Sequence, residues 1–323
     1  MKKIAVLTSG GDAPGMNACI RAVVRTGLYH EVEMIGVRRG YDGLIDGDFL
    51  SMDSHSVSNI IQRGGTILKT ARSKRFRTKQ GLDKAKAQLE ENGIEGLILI
   101  GGDGTFKGGL EFSTHTDIPC MGAPGTIDND LFGTDYTIGF DTALNTVIYA
   151  VDKIRDTAAS HNRLFFVEVM GRDAGFIALN SGVGCGAEDI LIPESKTDIA
   201  EVIKRLEDGW KRHKSSCIII VAEGDKEGGA FEIAEKVKQK FDHYDTRVTV
   251  IGHMQRGGSP TCFDRLLASR LGVAAIEGLL NGRRNEMAGL VHNQITYTPF
   301  AQTRKHNVDI NEGLLRIAHI LSA

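Results

Sequence analysis

Leu97-Ile98-Leu99-Ile100-Gly101-Gly102-Asp103-Gly104-Thr105, residues 97–105, sets four large aliphatic residues directly before a glycine-rich polar turn. A short aliphatic run bounded by glycine reads as a buried strand, and the segment after it reads as a helix. The same punctuation recurs. Ile4–Thr8 runs into Ser9-Gly10-Gly11-Asp12, a strand over 164–170 runs into Gly171-Arg172-Asp173-Ala174-Gly175, and one over 247–251 precedes His253-Met254-Gln255-Arg256-Gly257-Gly258. In open α/β sheets, ligands sit outside the carboxyl ends of strands. Glycines there let backbone N–H groups and helix N-termini approach phosphate. For any one loop a plain tight turn explains the glycine equally well; four together favour a phosphorylated ligand.

Outward from these loops, short apolar runs alternate with stretches of helical period. Ile20, Val23, Val24, Gly27 and Leu28 form one helical stripe, and Met34–Val37 is a strand. Helices are expected over 82–92, 141–159, 175–184, 198–210, 230–240 and 262–280, and further strands over 189–192 and 217–222. Strand and helix in alternation predict an α/β fold with parallel sheets covered on both faces.

The 323 residues suit two domains of ordinary size. Glycine is in surplus, 39 of 323 or about 12% against a usual level of roughly 7%. With only 6 prolines and no three-residue period, collagen and linker compositions are excluded. A net charge of −2 lacks the basic excess of a general nucleic-acid binder. Five scattered cysteines (Cys19, Cys120, Cys185, Cys217, Cys262) without a CxxC pair argue for a reducing compartment. The apolar run at Ile4–Leu7 is too short for a signal peptide or a membrane span. A cytoplasmic protein bound to neither nucleic acid nor membrane is the expectation.

The chain has no GxxxxGK[ST], no GxGxxG after a strand, no GxSxG and no HExxH. Gly101-Gly102-Asp103-Gly104-Thr105 suits a nucleotide's phosphates, and Asp103 offers a hard carboxylate to Mg²⁺. NAD kinases and diacylglycerol kinases carry the same GGDGT. Pro124-Gly125-Thr126-Ile127-Asp128-Asn129-Asp130 sets two carboxylates two residues apart, on one side of an extended loop. Mg²⁺ or a substrate hydroxyl would relieve their repulsion; an Asx-rich turn is the alternative.

Taken in order, SGGDAPGMN (9–17), QRGGT (62–66), IGGDGT (100–105), PGTIDND (124–130), GTDYTIGFDTA (133–143), IRDTAASH (154–161), MGRDAG (170–175), AEG (222–224) and GHMQRGGSP (252–260) resemble the bacterial ATP-dependent 6-phosphofructokinases. The resemblance spans nearly the whole chain. It implies two Rossmann-like three-layer αβα domains with mostly parallel sheets and the active site in the cleft between them. Residues 1–139 plus 252–302 would bind ATP, and 140–251 plus 303–323 would bind the sugar. The C-terminal helix would present Ile310, Leu314, Leu315, Ile317 and Leu321 as its apolar face.

The family transfers the ATP γ-phosphoryl to the 1-hydroxyl of fructose 6-phosphate. Asp128 matches its base, Asp103 its Mg²⁺ carboxylate with Asp130 as helper, and Thr126 a contact to sugar or phosphoryl. Arg172, in Met170-Gly171-Arg172, matches the arginine that neutralises the phosphoryl, and Glu223 a ligand of sugar hydroxyls. His253 and Arg256 match ligands of the 6-phosphate, while Arg163 and Arg247, each of which by itself reads as a surface salt bridge, match arginines reaching across a subunit interface, which implies a homotetramer. Gly11, Tyr41, Arg72, Ser73, Gly102, Gly104 and Thr105 match ATP contacts. The run Thr70–Phe76 departs from the family's usual S-A-R-x-P-E-F pattern while keeping Arg72.

Pyrophosphate-dependent relatives usually carry Asp at the position of Gly104 and Lys at that of Gly125, so ATP is the expected donor and pyrophosphate the alternative. Arg21 and Arg25 lie i, i+4 on one helix, where like charges cost a few tenths of a kcal/mol unless an anion joins them; a solvated basic face is the alternative. The family places an ADP or phosphoenolpyruvate effector at this pair, with Arg155, Gly186, Glu188, Arg212 and Lys214. Ser54 and Asn59 replace the basic and acidic residues common there, which predicts a weakened or altered effector response. A non-catalytic nucleotide sensor would have lost Asp128 or Asp103; both are present.

Overall fold

A computed structural model describes residues 1–214, 216–303 and 310–321. By internal packing the described residues fall into two units: 1–127, 131–142 and 256–303 in the first, and 128–130, 143–255 and 310–321 in the second. The chain begins β1 (Lys3–Ser9), α1 (Met16–Tyr29), β2 (Glu33–Val37), α2 (Gly40–Asp46), β3 (Phe49–Met52), α3 (Lys79–Glu91), β4 (Gly96–Gly101), α4 (Asp103–Phe112) and β5 (Cys120–Pro124). It continues with α5 (Phe140–Ala159), β6 (Arg163–Val169), α6 (Phe176–Gly184), β7 (Asp189–Leu191), α7 (Ile199–Lys211), β8 (Cys217–Ala222), α8 (Ala230–Lys238) and β9 (Asp245–Val250). A 3₁₀ turn, Gly252–Arg256, leads to α9 (Cys262–Leu280), β10 (Glu286–Val291), β11 (Gln294–Pro299) and α10 (Glu312–Leu321).

In the first unit the strands order as β11-β10-β5-β4-β1-β2-β3. The five inner strands are parallel, and the edges β3 and β11 are antiparallel. Central strands of a parallel sheet are covered on both faces and show no polar alternation. Ile4 through Leu7 and Leu97 through Ile100 are accordingly all buried. Side chains of successive strand residues point to opposite faces. Ala5, Leu7, Leu97 and Leu99 therefore share a core with Leu44 of α2, Leu82 of α3 and Phe106 of α4. Helices α1 and α9 pack together and against the sheet strands. The second unit has four parallel strands in the order β7-β8-β6-β9. Leu164, Phe166, Ile219 and Val221 of that sheet pack on Val202 and Leu206 of α7 and on Ile233 and Val237 of α8.

The α/β reading and nearly all the expected elements hold. The alternation of strand and helix overlooks α2, β3, β5 and the β10–β11 hairpin. The hairpin closes on His292-Asn293, both at positive φ (47° and 63°), the geometry of a two-residue type I′ turn. β5, Cys-Met-Gly-Ala-Pro, is poor in β-formers, yet all five residues are buried, so tertiary burial makes the strand. In the C-terminal helix, Ile310 precedes the first helical residue, Glu312, and no residue of α10 is fully buried. Residues 304–309 and 322–323 of the expected 303–323 piece lie outside the described residues. No helix among the described residues is long and apolar enough to cross a membrane.

The register decides which loops meet. Ser9 pairs with Gly101, and Gly101 with Pro124, so SGGD, GGDG and PGTIDND leave three adjacent strands side by side. In the other sheet Val169 pairs with Ala222, and Glu168 with Val250. That places the 170–175, 223–225 and 251–255 segments together.

Candidate active site

The first unit holds the residues matched to nucleotide. Gly102 is the extended N-cap of α4, and Asp103 is its first residue, so the carboxylate sits at a helix N-terminus where negative charge is favoured. Lys107, one turn on, reaches Asp103 Oδ2 at 2.7 Å. Thr105 is buried, and its hydroxyl donates to the Ser9 carbonyl at 3.1 Å, which joins the two glycine loops. Tyr41 lies beneath them. It is only 4% exposed, its hydroxyl donates to the Thr105 carbonyl at 2.6 Å, and its ring stacks on Phe76 at 3.9 Å. Burial holds its phenol well above the usual range. Tyr41 thus supports the α4 start from below.

Ser73 is committed locally. Its hydroxyl donates to Asp42 Oδ1 at 2.5 Å and accepts from the Phe76 N–H at 3.1 Å. Arg75 pairs with Asp42 and Asp46, so α2 neutralises part of the basic 69–79 run. Arg72 remains exposed and makes no side-chain bond among the described residues. Arg256, matched to sugar phosphate, is 8% exposed; it donates to the Asp12 carbonyl at 3.0 Å and lies across Gly11. Thr126 is buried, and its carbonyl accepts from Thr137 Oγ1 at 2.6 Å, which pins the start of the PGTIDND loop.

Asp128 and Asp130 pack with the second unit and are 3% and 5% exposed. Arg172 Nε stands 3.6 Å from Asp128 Oδ2. The loop that carries Arg172 is held in an uncommon shape: Gly171 has φ 143° and Arg172 φ 54°. For a residue with a Cβ, that left-handed backbone costs about 1–2 kcal/mol. Glu223 offsets it, since its Oε1 accepts from the N–H of Arg172 at 2.8 Å and of Gly171 at 3.3 Å. Gly224 completes the fit, as a Cβ there would sit 1.9 Å from the Arg172 carbonyl. Gln255, which the sequence reading passes over, is fully buried and accepts from the Met170 N–H at 2.9 Å. Three consecutive amides are thus bound by two side chains. His253 is exposed on the 3₁₀ turn.

Arg163 and Arg247 come together on the paired strands β6 and β9. Both reach Asp245 Oδ2, at 3.3 and 2.7 Å. These are the surface salt bridges that each arginine by itself suggests; their partner Asp245 is named by no motif, and its place two before Arg247 in a strand, on the same face, is the available signal. Of the residues matched to an effector, Arg155 donates to the carbonyls of Cys185 (2.5 Å) and Gly186 (3.1 Å). Glu188 pairs with Lys214 at 2.8 Å and accepts from the Ile218 N–H. Arg212 donates to the Asp208 carbonyl. In the other unit Arg21 and Arg25 make no ion pair among the described residues, Ser54 is exposed, and Asn59 is exposed with φ 54°.

The Phosphofructokinase family profile matches residues 3–279. The chain belongs to the phosphofructokinase family. A phosphofructokinase of Cytophaga hutchinsonii, named ATP-dependent 6-phosphofructokinase, is 57% identical over 322 residues, covering 100% of this chain and 98% of its own. ATP-dependent 6-phosphofructokinase 1 of Thermus thermophilus is 54% identical over 322 residues, with both chains fully covered. The solved phosphofructokinase of Saccharomyces cerevisiae superposes with a TM-score of 0.89 at 34% identity. It covers all of this chain, which spans 48% of the yeast chain.

Within the phosphofructokinase frame, the two donor-related glycines differ in surroundings. A Cβ at Gly104 would meet nothing within 4 Å, so a side chain there projects into open space beside Asp103. A Cβ at Gly125 would stand 3.1 Å from Ile100 Cγ2 and 3.2 Å from Met16 Cε. Gly125 therefore also meets a packing requirement, and a larger residue there would first displace Ile100 or Met16.

Proposed function

We propose that this chain transfers the γ-phosphoryl of ATP to the 1-hydroxyl of fructose 6-phosphate, yielding fructose 1,6-bisphosphate and ADP, as a glycolytic kinase of the cytoplasm. The observation that carries the reading is the pairing of Asp128 with Arg172, in a chain 57% identical along its length to an ATP-dependent 6-phosphofructokinase. Phosphoryl transfer needs a positioned acceptor, a group to take its proton and charge neutralisation. Asp128 accepts the proton of the sugar hydroxyl. Arg172 holds the carboxylate until substrate binds and then neutralises the transferred phosphoryl, with Thr126 beside the acceptor. Glu223 contributes to sugar recognition, and His253 and Arg256 bind the 6-phosphate.

Asp103 fits the Mg²⁺ of a nucleotide. It is a lone carboxylate at a helix N-terminus that already attracts a cation, Lys107. Mg²⁺ on nucleotide takes one or two protein carboxylates, with phosphate and water oxygens completing its shell. The ion would neutralise phosphate charge, with Asp130 as second carboxylate. Gly11, Gly102, Gly104 and Thr105 line the phosphates, and Arg72 is free to reach them.

Arg163 and Arg247, prepaired by Asp245, serve a neighbouring subunit's sugar phosphate in a homotetramer. Arg155, Gly186, Glu188, Arg212 and Lys214 form one half of an effector site for ADP or phosphoenolpyruvate, and Arg21, Arg25, Ser54 and Asn59 the other. A purified-protein assay crossing ATP and pyrophosphate with fructose 6-phosphate, with and without ADP, tests the reading. Turnover with ATP alone is expected, with a muted ADP response. Equal or faster turnover with pyrophosphate would overturn the donor assignment.

A further inference from the structure

We propose that the segment 62–70 is a positioning element of the phosphoryl-transfer site and that Asn17 is the residue that sets it. The inference rests on the reading of Gly10–Asp12 as nucleotide loop and of Arg256 as sugar-phosphate ligand. Gln62-Arg63-Gly64-Gly65-Thr66 belongs to the family pattern but holds none of the residues matched to a ligand. The segment contains neither helix nor strand, so its backbone groups need other partners. Asn17, in the first turn of α1, is 1% exposed and supplies them. Its Nδ2 donates to the carbonyls of Arg63 and Gly64, both at 3.1 Å, and its Oδ1 accepts from the Ile67 N–H at 2.7 Å. Three of the four hydrogen bonds an amide can make are spent on one loop.

The loop then reaches both phosphate-facing segments. At one end Thr70 Oγ1 donates to the Gly10 carbonyl at 2.9 Å, and Thr8 Oγ1 donates to the Lys69 carbonyl at 2.9 Å. At the other, Ser259 Oγ donates to the Gln62 carbonyl at 2.8 Å. Gly64 lies so close to Gly258 that a Cβ on it would sit 2.4 Å from the Gly258 carbonyl. The spacing between the nucleotide loop and the segment after Arg256 is thereby set through Asn17, whose amide is spent on the 63–67 backbone. Catalytic geometry tolerates little error: a misplacement of about 1 Å can cost on the order of 10²-fold.

Steady-state kinetics on Asn17→Ala, Thr70→Val and Ser259→Ala, with melting temperatures, test this. Asn17→Ala is expected to raise KM for both ATP and fructose 6-phosphate by about tenfold. Thr70→Val should raise chiefly the first and Ser259→Ala chiefly the second. A purely structural Asn17 would lower the melting temperature and leave both KM values unchanged, which overturns the proposal. If Asn17→Ala does not fold, the two loop-end variants decide, and unchanged KM values in both refute it. Arg256→Ala separates the two levels. An unaltered KM for fructose 6-phosphate there removes the underlying site reading, whereas a raised one beside an unaltered Asn17→Ala removes the positioning role alone.

Discussion

Asp128 is a carboxylate buried to 3% exposure, with the half-exposed Arg172 guanidinium 3.6 Å away. With Asp128 as the proposed base, its replacement by Ala removes the proton acceptor and changes no residue of the first unit's glycine loops. General base catalysis is worth typically about 10²–10⁴ in rate. Asp128→Ala should therefore lower kcat by that factor, while ATP binding measured by titration calorimetry stays within about twofold. Gly104 yields a prediction about donor choice. Because its Cβ direction is open, Gly104→Asp should fold normally and set a second carboxylate beside Asp103. Like charges at about 4 Å cost about 1–4 kcal/mol between bulk water and a protein surface. An increase of tenfold or more in KM for ATP, at unchanged melting temperature, is the expected result. Residue types were legible here: the motifs name the carboxylates, the arginines and the glycines, Gly104 among them with open space at its Cβ. Their second partners were not. That Ser73 bonds Asp42 and that Tyr41 lies under Thr105 depend on neighbours at separations of 31 and 64 residues.

The thiols report on packing at the same scale. Burial pushes Cys19 and Cys120 up to about 12, and Cys185 and Cys217 up to about 11, whereas Cys262 is exposed. Since the thiolate is the reactive form, a disulfide reagent at pH 8 should label one thiol per native chain rapidly. The remaining four should wait for denaturant.

At the scale of elements, a buried carboxylate ties the starts of α5 and α9 together. Asp264, in the first turn of α9, is fully buried. It accepts from the N–H of Gly139 and of Thr142, both at 2.8 Å, and from Thr142 Oγ1 at 2.5 Å. Thr261, the N-cap of α9, answers by donating to Asp141 at 2.6 Å. Asp264 thus caps the start of α5, and Thr142 Oγ1 in turn accepts from the Thr261 N–H at 3.0 Å. Asp264→Ala orphans buried donors, each worth about 1–3 kcal/mol, and should destabilise the protein by about 3 kcal/mol in denaturant unfolding. Helices such as α7 and α9 were legible because apolar spacing records burial locally. The short elements α2, β3 and β5 were not, because few residues carry their pattern and neighbours supply their burial.

For the whole molecule, net charge was a poor guide to ligand. Forty-one acidic residues offset 39 basic ones, and the offset is often local, as where Asp245 holds Arg163 and Arg247. If those arginines complete a neighbour's site, subunits carrying Arg163→Ala and subunits carrying Asp128→Ala, each inactive alone, should regain activity when mixed. Such assemblies would pair an intact base with an intact arginine at some sites. No recovery in mixed oligomers verified by mass spectrometry would count against a shared site.

By itself the sequence determined the class of fold, the order of most helices and strands, the family, and the residue types that would meet phosphate. Those features are written locally, in apolar periodicity and in glycines at strand ends. Only the tertiary structure decided that strand register lines up Ser9, Gly101 and Pro124. The same holds for the Gln255 and Glu223 bonds to the amides around Arg172, and for Asn17 as the tie to the 63–67 loop. The reason is physical: a buried polar group must find a partner wherever the chain returns, and which segment returns is a property of the packed whole.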